Sequence, residues 1–208
     1  DSLAQIDERV LFGREDYDRI AALGWNGFWE EHYPEMSGKS LQKLGVIQNR
    51  LLERYCREKQ ICEDKGIPVL LGAAVDSVLM AFSLCRTLTQ FTMDLYEIPD
   101  KVQVAMDASC DDLIRNTLET IKITKTPLAF IVLERGSGAI YRLDVFERFE
   151  WPYLQRFVDA FLAEGITPWF HLDTDWSLNL PYFKTLPRGK CVADLDGTTN
   201  IFKAKEIL

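Results

Sequence analysis

Four short apolar runs, opening at Ile67, Leu128, Ile166 and Lys190, are separated by longer amphipathic segments, and this alternation constrains the fold more than any other feature of the sequence. A run such as IPVLLGAAV has no polar alternation, which is the pattern of a strand buried on both faces, as in a parallel sheet. Parallel strands need crossovers of a dozen or more residues, and the intervening segments have that length. The expectation is an α/β protein with a parallel sheet or barrel. No GxGxxG or GxxxxGK[ST] sequence follows an early strand, so the phosphate turn of a doubly wound sheet is missing and a barrel gains weight.

Hydrophobic periodicity places the helices. Residues 14–31 carry Tyr17, Ile20, Leu23, Trp25 and Phe28 on one face, with Gly24 and Gly27 weakening the helix. Residues 40–64 form a second helix with Ser40 as cap and Leu41, Leu44, Ile47, Leu51, Leu52 and Tyr55 facing inward. The strand 67–75 follows, then an apolar helical segment 76–96, capped by Asp76 or Ser77, broken near its middle and ended by Pro99. A long amphipathic helix starts at Asp100 and buries Val102, Met106, Cys110, Leu113, Leu118 and Ile121. The strand LAFIVLERG comes next, then a short helix VFERF capped by Asp144. The helix opened by Trp151 and Pro152 stops at Gly165, and ITPWF reads as a strand. A helical connection at 178–186, the strand KCVADLDG and a final helix IFKAKEIL complete the order.

With 208 residues and 47% hydrophobic content the chain can bury a substantial core, and one domain over 1–208 is expected. The net charge of -8 disfavours a general nucleic-acid or anionic-membrane surface, which needs clustered Lys and Arg, and leaves room for local basic sites. The sequence has neither a run of about 18 apolar residues nor a basic-then-apolar N-terminus, so the expectation is a cytoplasmic protein. Cys56, Cys62, Cys85, Cys110 and Cys191 are scattered and form no CxxC pair, so they read as reduced and mostly buried thiols.

Polar groups at the C-terminal ends of parallel strands face the ligand side. That rule selects Asp76 after the first strand, Glu134 and Arg135 after the second, His171, Asp173 and Asp175 after the third, and Asp196 after the fourth. His171 and Asp173 share one side of an extended strand. Arg135 can pair with a substrate carboxylate or form an internal ion pair. Gly136 and Gly138 let backbone approach a ligand. Asp196 can bind a ligand or cap the next helix, as can Thr198 or Thr199, while Asp194 points into the barrel. Tyr153 serves as lid or packing. Trp25, Phe28, Trp29 and Tyr33 near His32 form an aromatic cluster that suits core, an oligomer contact or the wall of a cofactor pocket.

Three segments carry a resemblance: IPVLLGAAVDSVLMAFSLCRTLTQFTMDLYEIPDKVQVAMD, LAFIVLERGSGAIYRLDVFERFEWPYLQRFVDAFLAEGITPWFHLD and GKCVADLDGTTNIFKAKEIL. Together they resemble the uroporphyrinogen decarboxylase superfamily, on its methyltransferase-like branch. The resemblance implies a TIM (β/α)8 barrel, here incomplete, without its start and last strands. It implies methyl transfer between a corrinoid carried by a partner protein and a small acceptor, with Glu134, His171 and Asp173 as catalytic residues and Asp76, Arg135, Tyr153 and Asp196 binding substrate. Alternatives are decarboxylation of a porphyrinogen, with Arg135 on an acidic side arm, or a non-catalytic binding subunit. Thiol-directed relatives hold zinc with His-x-Cys, where this chain has His171, Leu172 and Asp173; His171 and Asp173 are its candidate metal ligands, and the aspartate makes zinc doubtful. Family members are often homodimers.

Overall fold

The computed structural model describes residues 8–208. The elements run α1 (Asp16–Ser37), α2 (Leu41–Asp64), β1 (Leu71–Asp76), α3 (Val78–Arg86), α4 (Leu88–Glu97), α5 (Pro99–Thr124), β2 (Leu128–Val132), α6 (Leu143–Phe149), α7 (Trp151–Ala163), β3 (Thr167–Leu172), α8 (Leu180–Phe183), β4 (Val192–Leu195) and α9 (Ile201–Ile207). The fold is α/β, with one four-stranded parallel sheet in the order β1-β2-β3-β4. Each strand lies beside its predecessor, without the reversal that makes a switch point in a doubly wound sheet.

The sheet has two unlike faces. Ala73, Val75, Ala129, Ile131, Pro168, Phe170 and Leu172 are buried, and the strands that carry them pack against α3, α5 and α7. The residues between them, Ala74, Asp76, Phe130, Val132, Trp169, His171 and Asp194, are half-buried or exposed. The strands therefore alternate, where the continuous apolar runs in the sequence had implied burial on both faces. One hydrophobic cluster extends from Phe12 to Phe183 and includes Leu154, Phe157, Val158 and Phe161 of α7. Among the described residues, no helix is long and apolar enough to cross a membrane.

Several boundaries have local physical causes. The helical segment after β1 breaks at Thr87, whose φ of 68° ends α3 and starts α4. Ser77 caps α3 by accepting from the Met80 N–H at 3.1 Å, so of the two candidate caps it is the hydroxyl that serves. Pro99 opens α5, where its missing N–H costs nothing. In α5, Val102, Met106, Cys110, Leu113 and Ile121 are buried as the periodicity indicates. Gly165, at φ 73°, follows α7 as its stop.

Other expectations are corrected. The first strand begins at Leu71 rather than Ile67: Pro68 cannot donate to a ladder, and Ile67 and Leu70 are exposed. Gly24 adopts φ 72° and kinks α1, which then runs on to Ser37, with Pro34 inside it. The largest revision concerns α2, none of whose residues is buried; Ile47 and Leu51, expected inside, are 55% and 61% exposed. Asp144 does not cap α6; it pairs with the Arg142 side chain at 3.1 Å. All five cysteines are free, but only Cys110 is buried.

Candidate functional site

Register brings the strand ends together. Asp76 pairs with Val132, Val132 with His171 and His171 with Asp194, so these four residues form one row across the open face at its C-terminal end. Along the same face, Phe130 packs on His171, with ring centroids 4.9 Å apart, and on Trp169 at 5.9 Å. The floor below the polar row is thus aromatic.

His171 occupies the centre of the polar groups. Its Nδ1 lies 3.0 Å from Asp194 Oδ2, and its Nε2 lies 3.2 Å from Asp173 Oδ1. The Asp173 contact is what period-two geometry calls for, extended one residue past the end of β3. The Asp194 contact follows from parallel register with β4. All three side chains are partly exposed, between 34% and 42%, so the cluster opens to solvent on one side. The Nδ1 contact with Asp194 is a hydrogen bond, whereas Asp173 stands at ion-pair distance from Nε2; with Nδ1–H given to Asp194, a neutral ring keeps Nε2 as an acceptor.

Asp76 is partly buried, and its carboxyl is held above the usual carboxylate range by burial and by the nearby Glu134 charge. Glu134 is exposed, just beyond the strand-end bond from the Leu133 N–H to the His171 carbonyl. Asp76 and Glu134 therefore form an acidic pair at the β1–β2 end of the row.

The remaining candidates are used inside the fold. Arg135 donates to the Ser83 carbonyl at 3.1 Å and the Ser83 hydroxyl at 2.9 Å, and pairs with Glu8 at 2.8 Å. It takes the internal role rather than projecting a free guanidinium. Tyr153 is buried between α7 and α5, donating to Asp107 at 3.0 Å. Asp196 accepts from the Thr174 N–H, the Thr198 N–H and the Thr198 hydroxyl, at 2.9, 2.7 and 2.6 Å. These bonds hold its carboxyl below the usual range, the Thr198 hydroxyl contributing most. Asp196 braces the loops after β3 and β4, while Asn200 caps α9. Asp175 is exposed and turned to Ser177, outside the His171 cluster.

The glycines of the LERGSG loop approach protein rather than open space. A Cβ on Gly136 would lie 2.7 Å from Glu150 Oε1, and one on Gly138 would lie 3.1 Å from Asn179 Oδ1. Asn179 is fully buried and accepts from the Gly138 N–H at 2.8 Å, while Ser137 and Thr174 share a hydroxyl contact at 2.6 Å. Glu150, beneath the loop, is fully buried, and burial pushes its carboxyl up to about 8. The Ser77 hydroxyl and Leu79 N–H offset part of that penalty, but neither reaches the geometry of a formed hydrogen bond. Nothing in the sequence marks Glu150, which reads as one more helix-boundary acid, and Asp194 joins His171 only through the register of β4 against β3.

The donor set does not fit zinc. Both ring nitrogens of His171 face carboxylate oxygens, and among the described residues no group of three or more His, Cys, Asp and Glu side chains is placed to share a metal ion.

A solved methyltransferase from Methanosarcina mazei is similar to this chain with a TM-score of 0.53 at 16% sequence identity, over 64% of this chain and 38% of the methyltransferase. At that identity the likeness is one of fold, and the chain corresponds to well under half of the methyltransferase's length. No protein-family model and no curated protein matches the chain.

Proposed function

We propose that the chain is a methyltransferase-like enzyme of the uroporphyrinogen decarboxylase superfamily, that its four strands are one arc of a TIM barrel, and that it works with a corrinoid protein and a small acceptor. The observation that carries this reading is His171 held between Asp173 and Asp194 at the C-terminal strand ends, in a fold similar to a methyltransferase. The one-directional strand order and the half-open sheet face support the barrel, since the inner face of an arc awaits further strands.

A corrinoid, when bound with its protein, would supply the methyl group as an electrophile and keep both electrons of the broken carbon–cobalt bond. An acceptor atom X–H that takes this methyl must release a proton. Asp194 accepts from Nδ1–H and fixes the tautomer, so Nε2 carries the ring's lone pair, beside Asp173 at the solvent-open side of the cluster. Nε2 takes the acceptor's proton, and the Asp173 carboxylate, 3.2 Å from Nε2, balances the new charge. Phe130 fixes the imidazole plane from below. The acidic pair Asp76 and Glu134 suits an acceptor with hydrogen-bond donors, such as the edge of a pterin-like ring. Arg135, which porphyrinogen decarboxylation would require for a carboxylate arm, is already committed to Ser83 and Glu8.

The test is the absorbance of a methylated corrinoid mixed with the protein and a panel of thiol, amine and pterin acceptors. Loss of the methylated spectrum that depends on both protein and acceptor supports the proposal. No change with any acceptor refutes it, and carbon dioxide release from uroporphyrinogen would replace it with decarboxylation.

A further inference from the structure

A second recognition site lies away from the strand ends, in the groove between α1 and α2. Trp25, Trp29 and Tyr33 stand at i, i+4 and i+8 on α1, so successive turns bring their rings to one face. The groove they line, with Asn26, Glu30, Leu41, Leu44, Gln48 and Asn116, has a volume of about 400 Å³. It persists because α2, which buries none of its own residues, does not fill the space beside the α1 aromatics.

The chemistry of the lining is selective. The Trp25 and Trp29 rings are 5.7 Å apart with planes at 72°, forming two adjoining walls of a corner. Both are only partly buried. Elsewhere, arginines sit over Phe28, Phe149 and Tyr153, but no Lys or Arg is among the groove residues. Its charge is the Glu30 carboxylate, which has no ion-pair partner among the described residues. Asn26 and Asn116 donate to each other at 2.9 and 2.8 Å, which ties one N–H and the carbonyl of each amide to the other. Aromatic faces plus one unpaired carboxylate, with no cationic side chain in the lining, attract a cation that needs no hydrogen bonds of its own.

We infer that this groove binds a small quaternary ammonium compound, its methyl groups against Trp25, Trp29 and Tyr33 and its charge balanced by Glu30. The site is independent of the methyl-transfer reading, because none of its residues belongs to the His171 cluster.

The experiment compares choline with its neutral isostere 3,3-dimethyl-1-butanol by calorimetric titration, with tryptophan fluorescence as a second readout. Choline is expected to bind about 5- to 30-fold more tightly than the alcohol. Trp29→Leu should remove that preference. Glu30→Gln, at an exposed position that leaves the core untouched, should reduce choline affinity several-fold with unchanged thermal stability. Equal affinity for the two compounds, no saturable choline signal, or wild-type choline affinity in Glu30→Gln would overturn the inference.

Discussion

Replacing Glu150 with Gln removes a buried titrating group while keeping its shape. The carboxyl is fully buried, and its pKa is raised from 4.5 to about 8, chiefly by burial. In the unfolded chain the group ionises near its ordinary value, whereas the native protein holds the proton until the pH approaches about 8. Between those limits the unfolded state binds fewer protons, so native stability falls as pH rises, by roughly 1.4 kcal/mol per pH unit for this group. Across the interval from 4.5 to about 8 the loss integrates to on the order of 5 kcal/mol. Below the lower limit the acid is neutral in both states and contributes no pH dependence. Glu150→Gln should therefore match the wild type within about 1 kcal/mol at about pH 4.5 and exceed it by several kcal/mol at about pH 8. Urea unfolding across that range measures both curves; parallel curves would refute the buried neutral acid.

Other expectations concern the scaffold and the rim. Gly136→Ala places a Cβ 2.7 Å from the Glu150 carboxyl and should cost about 1–3 kcal/mol in urea unfolding. Asp94 is fully buried and accepts from Arg86 at 2.8 Å, Tyr17 at 2.9 Å and Arg14 at 2.5 Å, so Asp94→Ala should cost about 3–5 kcal/mol by stranding buried donors, read as a lowered urea midpoint. Asp196 has a depressed carboxyl pKa, so its contribution is present at neutral pH and lost as pH falls through its native value. Asp196→Asn should lower the melting temperature at neutral pH, with the difference closing in acid.

The sequence pattern located all four strands and their parallel relation, because apolar runs bounded by helical segments leave few alternatives. It failed at α2, where periodicity announced an inward face on a helix whose residues are at most half-buried: a hydrophobic stripe states what a helix can bury, and only tertiary contacts decide whether it does. At the rim, period two was enough to unite His171 with Asp173, since the extended backbone of β3 carries on one residue past its end. Asp194 required knowing the register of β4 against β3, which no local signal carries. Arg135 and Asp196 carry charges that look available in sequence, but each is satisfied by partners far along the chain or in the next loop.

The measurement that bears most directly on the proposed chemistry is single-turnover methyl transfer followed by corrinoid absorbance, comparing the wild type with His171→Gln and Asp194→Asn. Both variants should keep the wild-type melting temperature within a few degrees, given the exposure of these side chains. The account predicts at least about a 100-fold loss of rate in His171→Gln and a smaller loss in Asp194→Asn, in line with removal of a general base and of its orienting partner. A His171→Gln protein that transfers methyl at the wild-type rate would contradict it.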